Sequence, residues 1–179
     1  MNHARWFALA GVALAVLLSL SCGRRQAAPD ESAATPVPTA PPMKVVLFFP
    51  GDDTLLHRED REVPELPANG ASRVKFVMGE LLAGSQQGAP APFPYAATVE
   101  AAFVDNRGNA FVALSAPPPG GVQGSATEVG MVYASVHSVV ANCPGIERVQ
   151  LLFGGREVQT LGHLDLSGPL APRPELVAR

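Results

Sequence analysis

Apolar positions in this chain form one unbroken run, then a gap, then a series of short periodic segments. The run extends from Trp6 to Leu20 without a charge. The gap, residues 23–43, has no apolar period and is rich in Ala, Pro, Ser and Thr. Such a stretch buries too little surface to fold. Periodicity begins at residue 44. KVVLFF (44–49), closed by Pro50-Gly51, predicts a strand. DDTLLHRED (52–60) reads as a polar loop. REVPEL (61–66) reads as a second strand, which Pro64 confines to an edge or keeps short.

Val74, Val77, Met78 and Leu81 recur at i, i+3, i+4 and i+7, the stripe of an amphipathic helix. Ser72 is its expected N-cap and Gly84 fits C′. Residues 85–97 are a Gly- and Pro-dense loop carrying Phe93 and Tyr95. TVEAAFVD (98–105) and AFVALS (110–115) predict a hairpin around Asn106-Arg107-Gly108-Asn109. Alternation puts Val99, Ala101 and Phe103 on one face of the first strand, and Ala110, Val112 and Leu114 on one face of the second. A second helix opens at an S-x-x-E capping box, Ser125 and Glu128. It buries Val129, Val132, Tyr133, Val136 and Val140, and Asn142 and Pro144 end it. ERVQLLF (147–153) turns Val149, Leu151 and Phe153 inward, and Gly154-Gly155 leads to a returning strand, REVQT (156–160). This order of elements predicts an α+β fold of two layers, with two helices packed on one face of a mostly antiparallel sheet. The domain is expected over 44–170, with 171–179 as a C-terminal tail.

The N-terminal run is shorter than the roughly 20 apolar residues of a membrane span. Arg5 before it and Ser19-Leu20-Ser21 at its end describe a secretory signal over 1–21. Cys22 follows at the cut site, and the segment resembles a bacterial lipobox, with Ser19 where Leu is usual. The resemblance implies that Cys22 becomes the first mature residue and carries acyl chains, anchoring the protein in a lipid membrane. An ordinary cleaved signal that happens to contain a Cys is the alternative. Residues 22–43 are then a tether, and its 21 residues after the Cys reach about 65 Å when extended. Gly23 is not the Asp that marks inner-membrane retention, so an outer membrane is favoured where a cell has two.

Loss of residues 1–21 removes Arg5 alone and leaves 12 basic against 16 acidic residues. With no Lys/Arg block, nucleic-acid binding is not expected. Of the two cysteines, an acylated Cys22 leaves Cys143 without a partner, so no disulfide is expected. Cys143, just before Pro144, reads as a partly buried apolar residue. Asp52, Asp53, Glu59 and Asp60 lack a calcium-loop spacing and contain Arg58 and Arg61 among them, so they read as a solvated loop. His57, His137 and His163 lack zinc-ligand spacing, and His137 falls on the flank of its helix. His163 and Asp165 are alternate residues with no third group to make a catalytic set, and no G-x-S-x-G elbow is present. No metal, cofactor or catalytic residue is expected.

KVVLFF, REVPEL, ELLAG, VEAAFVDNRGNAFVALS and above all PGIERVQLLFGGREVQTLGHLDLSGPL together resemble the GerMN domain of bacterial envelope lipoproteins. The family's Val-Asp-Leu in the second hairpin strand is Val112-Ala113-Leu114 here, without its carboxylate. The resemblance implies a non-enzymatic ligand-binding or assembly module, some relatives being tied to sporulation and germination. The expected partner is another envelope protein, received at an edge strand such as 61–66 or 156–160. The second expectation is a receptor for a small molecule or cell-wall glycan, with Phe93 and Tyr95 stacking on the ligand. Intact mass of the mature protein is expected to equal residues 22–179 plus acyl groups. Cys22→Ala should abolish that species, and a bare chain starting elsewhere would refute lipidation.

Overall fold

A computed structural model describes residues 42–179 of the chain. The signal segment, Cys22 and nearly all of the tether lie outside the described residues. The elements are β1 (Met43–Pro50), β2 (Leu56–Val63), α1 (Gly70–Leu82), β3 (Val99–Val104), β4 (Asn109–Leu114), α2 (Ser125–Asn142) and β5 (Arg148–Phe153). A short 3₁₀ turn follows at Pro174–Leu176. The fold is α+β with two helices, and its strand pairing is mostly antiparallel. β1 pairs with β2 and β3 with β4 in antiparallel fashion, while β4 and β5 run parallel. The strands divide into two sheets, β1-β2 and β3-β4-β5.

The division has a local cause. On the β1 edge away from β2, helix α2 occupies the place of a neighbouring strand. Asn142 Oδ1 accepts from Val46 N–H at 2.9 Å, and its Nδ2 donates to Val46 C=O at 2.6 Å. Ser138 Oγ accepts from Phe48 N–H at 3.0 Å. Asn142 ends the helix as expected, and its side chain also acts as a peptide mimic. Helix α2 is therefore buried all round from Met131 to Val139, well beyond the expected stripe. One apolar core results, fed by Val45, Leu47 and Phe49 of β1, Val112 and Leu114 of β4, and Val149, Leu151 and Phe153 of β5.

Helix α1 buries Val74, Val77, Met78 and Leu81 as the spacing predicts. Its N-cap is Asn69, whose side chain accepts from Ser72 N–H. Gly84 has φ 88°, the conformation that favours Gly past a helix end. Strand β2 starts at Leu56, so it includes half of the expected polar loop. Its inward positions are Leu56, Glu59, Arg61 and Val63, and the two charges hide the alternation. A β-bulge between Val99 and Ala101 splits the expected β3 face. Ala102 and Val104 now share the inner side with Val112 and Ala110, while Ala101 and Phe103 lie outside, across from Ala113 and Phe111. The returning strand at 156–160 does not form. After the positive-φ pair Gly154-Gly155 there is one bridge, Phe153 to Arg156, and the chain leaves the sheet. Residues 171–179 fold back on the domain, where Ala178 N–H donates to Leu56 C=O at 3.0 Å.

Removal of the Asn142 amide strands the partly buried peptide group of Val46 on β1. Asn142→Ala is expected to lower unfolding free energy by about 1–3 kcal/mol, the cost of one unsatisfied buried group. Urea denaturation with an unchanged slope is the measurement.

Candidate functional site

The charged residues of β2 separate into three arrangements. Asp53 pairs with His57 at 2.9 Å and Asp60 with Arg58 at 2.7 Å, all exposed to solvent. Glu59 and Arg61 point inward and are buried, which corrects the reading of Glu59 as part of a solvated loop. Arg61 donates to Glu59 at 2.8 Å, to the Glu80 carboxylate at 3.0 Å, and to Glu80 C=O and Gly84 C=O. These carbonyls belong to the end of α1, where backbone acceptors lack helical partners. Glu59 in turn accepts from Ser85 Oγ and Gln86 N–H. Burial opposes its ionisation, but the bonds from Ser85, Arg61 and Gln86 outweigh burial and hold its carboxyl below the usual value. Among the described residues, no group of three or more His, Cys, Asp or Glu is placed to hold a metal ion.

Glu128 does not close a capping box. Gly124 is the N-cap of α2, with φ 88° and no side-chain cap. The buried Glu128 carboxylate instead accepts from the backbone N–H groups of Leu161, His163 and Leu164 at 2.8–3.3 Å. A Cβ at Gly162 would stand 2.8 Å from Glu128 Oε2, so the clasp needs glycine there. His163 lies exposed beside Ser125 Oγ at 3.2 Å. Asp165 is bonded to Ser167, whose N–H and hydroxyl hold its carboxyl below the ordinary range. His163 and Asp165 thus have separate partners.

His137 is buried rather than marginal. It lies against the Phe48 and Tyr133 rings, with Nε2 3.1 Å from both Arg173 N and O. Burial pushes its pKa down. Cys143 is buried and its thiol is pushed up to about 11 by burial.

Phe93 and Tyr95 fold back together, their ring centroids 6.0 Å apart and nearly perpendicular. Phe93 is buried in the core. Tyr95 is half-buried, donates to Ser115 C=O at 3.2 Å, and is pushed up to about 12 by burial. They border a pocket of about 210 Å³ with Leu82 and Pro92. Phe93 is 6% exposed, which leaves little of its ring open to a sugar.

A surface that the sequence did not single out lies at β3. Phe103 is 60% exposed and Val104 37%. Beside Val104 is a second pocket of about 290 Å³, lined also by Arg73, Cys143 and Ile146. The only sequence signal was a strand apolar on both faces. Its significance depends on the fold leaving β3 at an edge.

The family model for Germane, described as sporulation and spore germination, matches residues 46–159. The chain belongs to the Germane family. Its fold is similar to three solved structures. One is a putative lipoprotein from Clostridium perfringens, at 20% identity over 76% of this chain and 93% of that one, TM-score 0.51. Another is the first GerMN domain of the sporulation protein GerM from Bacillus subtilis, at 15% identity over 72% and 97%, TM-score 0.54. The tandem GerMN domains of GerM match at 17% over 72% of this chain and 46% of that one, TM-score 0.53. This chain therefore spans about half of the tandem pair. No curated protein matches it.

Within this Germane domain, the Glu59–Arg61 cluster, Glu128 and the β3 edge all fall inside the matched region. The backbone that Glu128 clasps, Leu161 to Leu164, falls just beyond it. Because the Glu59 carboxyl is held below its usual 4.5, its stabilising contribution is complete above that value and is lost as pH falls through the folded value. Glu59→Gln is expected to cost up to about 3–5 kcal/mol at neutral pH, since it leaves the buried Arg61 paired with the partly exposed Glu80 carboxylate alone. The variant should also show a flatter loss of stability in acid, read by thermal melts across pH 3 to about 7.

Proposed function

We propose that this protein is a binding and assembly module of a bacterial cell envelope, held at a membrane by acylated Cys22 and recruiting another envelope protein. The observation that carries the reading is the open edge strand β3, where Phe103 on the outer face and Val104 on the inner face are both exposed. Large apolar side chains grouped at an open edge are the features of strand-mediated protein contacts. The titratable side chains in the interior support a non-catalytic role. Glu59, Glu128 and His137 are each engaged with backbone groups that shape the fold. A small-molecule or glycan receptor has less support, because Phe93 is turned into the core and the Tyr95 hydroxyl is bonded to Ser115.

A photo-crosslinking residue at position 103, in the full chain in cells, is expected to give a discrete protein adduct. The same residue at exposed position 58 on β2 should not. No adduct at 103, or the same adducts at both positions, would overturn the proposal.

A further inference from the structure

The recruiting reading leaves open how a partner is held, and the following rests on that reading. We infer that β3 accepts an extended segment of the partner as an added strand, with an apolar side chain in the pocket beside Arg73 and an adjacent carboxylate on Arg73 itself.

The first support is the edge. Asp105 N–H donates to Asn109 C=O, which sets the hydrogen-bonding alternation of the hairpin. Phe103 and Ala101 direct their backbone groups to β4, so Ala102 and Val104 direct theirs away. Among the described residues, no bond reaches the outward groups of Ala102 or Val104. The bulge that would blunt this edge sits at its start, between Val99 and Ala101, and leaves 102–104 regular. Other edges are closed from within, at least in part. Asn142 and Ser138 close β1, Leu170 exchanges two bonds with Val149 of β5, and Ala178 meets Leu56 of β2.

The second support is what lies along that edge. It runs into the pocket of about 290 Å³, walled by Val104, Cys143, Ile146, Ala68 and Gly70, large enough for one aliphatic side chain. Arg73 lines the same pocket. Its Nε donates to Pro67 C=O at 2.8 Å, and among the described residues it is paired with no carboxylate. Lys75 stands farther along, with Nζ 3.5 Å from Glu100 C=O at the start of β3. The acid of β3 itself, Glu100, lies at that end, away from the pocket. Charge complementarity therefore calls for an acidic group at the Arg73 end.

The test uses the full lipidated chain in detergent micelles and two fluorescent peptides of alternating Thr and Val. One ends in Asp-Leu and the other begins with Leu-Asp, which covers both strand directions. One of them is expected to bind, to weaken with added salt, and to lose at least tenfold in affinity when its Asp becomes Lys. Arg73→Gln and Ala102→Pro are each expected to weaken binding at least tenfold, while Arg73→Lys retains most of it. Ala102→Pro removes only an outward N–H, which an edge strand tolerates. Thermal melts identify a variant that fails to fold, and the Arg73 pair then decides. Peptide affinity unchanged in both Arg73→Gln and Ala102→Pro, no binding to wild type, or self-association through β3 would overturn the inference. If the adduct at position 103 persists in Arg73→Gln and Ala102→Pro, recruitment stands and this mode of holding fails. If no adduct forms at all, recruitment itself fails.

Discussion

The peptide groups of Val46 and Phe48 lie on the edge of β1 that has no strand beside it, Phe48 buried and Val46 partly so. Helix α2 supplies the partners through Asn142 and Ser138. An amide side chain carries one donor and one acceptor, as a peptide unit does, so Asn142 can bond to both sides of Val46 at once. This requirement fixes the distance and rotation of α2 against β1. It also ends the first sheet at two strands, because the position of a third is occupied. The many Val residues of α2 are poor helix formers, so the helix depends on burial on all sides for its stability. Strand edge and helix therefore stabilise each other.

Two buried carboxylates extend the same logic to irregular backbone. Glu59 gathers Ser85 and Gln86, the residues just past α1, while its partner Arg61 takes the carbonyls of Glu80 and Gly84. Helix end, strand and following loop are joined by one ion pair. Glu128 gathers three N–H groups of the 161–164 segment, which has no strand to bond to. In each case the carboxylate replaces missing secondary structure. Removal of either carboxylate would release a whole segment.

The sequence was most legible where a single face of an element is apolar. The stripe of α1, the inward residues of β5 and the turn at Gly108 all follow from spacing and turn chemistry. Legibility failed where polar residues point inward. Glu59 and Arg61 made half of β2 resemble a loop, and Glu128 matched a capping box while its true partners lay 33 or more residues away. One inserted residue at the β3 bulge exchanged the faces of Phe103 and Ala102, a change that strict alternation cannot register. Phe93 and Tyr95 were visible as aromatics, but only the fold shows that they pack on each other. Arg73 and Val104 are 31 positions apart and come together only because α1 packs against β3.

The openness of β3 follows from what borders it. Closing a strand edge takes both a donor and an acceptor, which Asn142 and Leu170 provide on β1 and β5 through amide or peptide groups. The cationic side chains that α1 places beside β3 are Arg73 and Lys75, and both only donate. Lys75 can meet the Glu100 carbonyl, but neither residue can accept from the N–H groups of Ala102 and Val104. Those donors require an acceptor from outside, which is water in the free protein and a backbone carbonyl when a strand is added. The two cations also disfavour strands that bring positive charge to the edge, as charged residues do at protected edges elsewhere. The same pair therefore discriminates against many wrong strands and favours an acidic one, and the pocket beneath Val104 adds a requirement for an apolar side chain next to that acid.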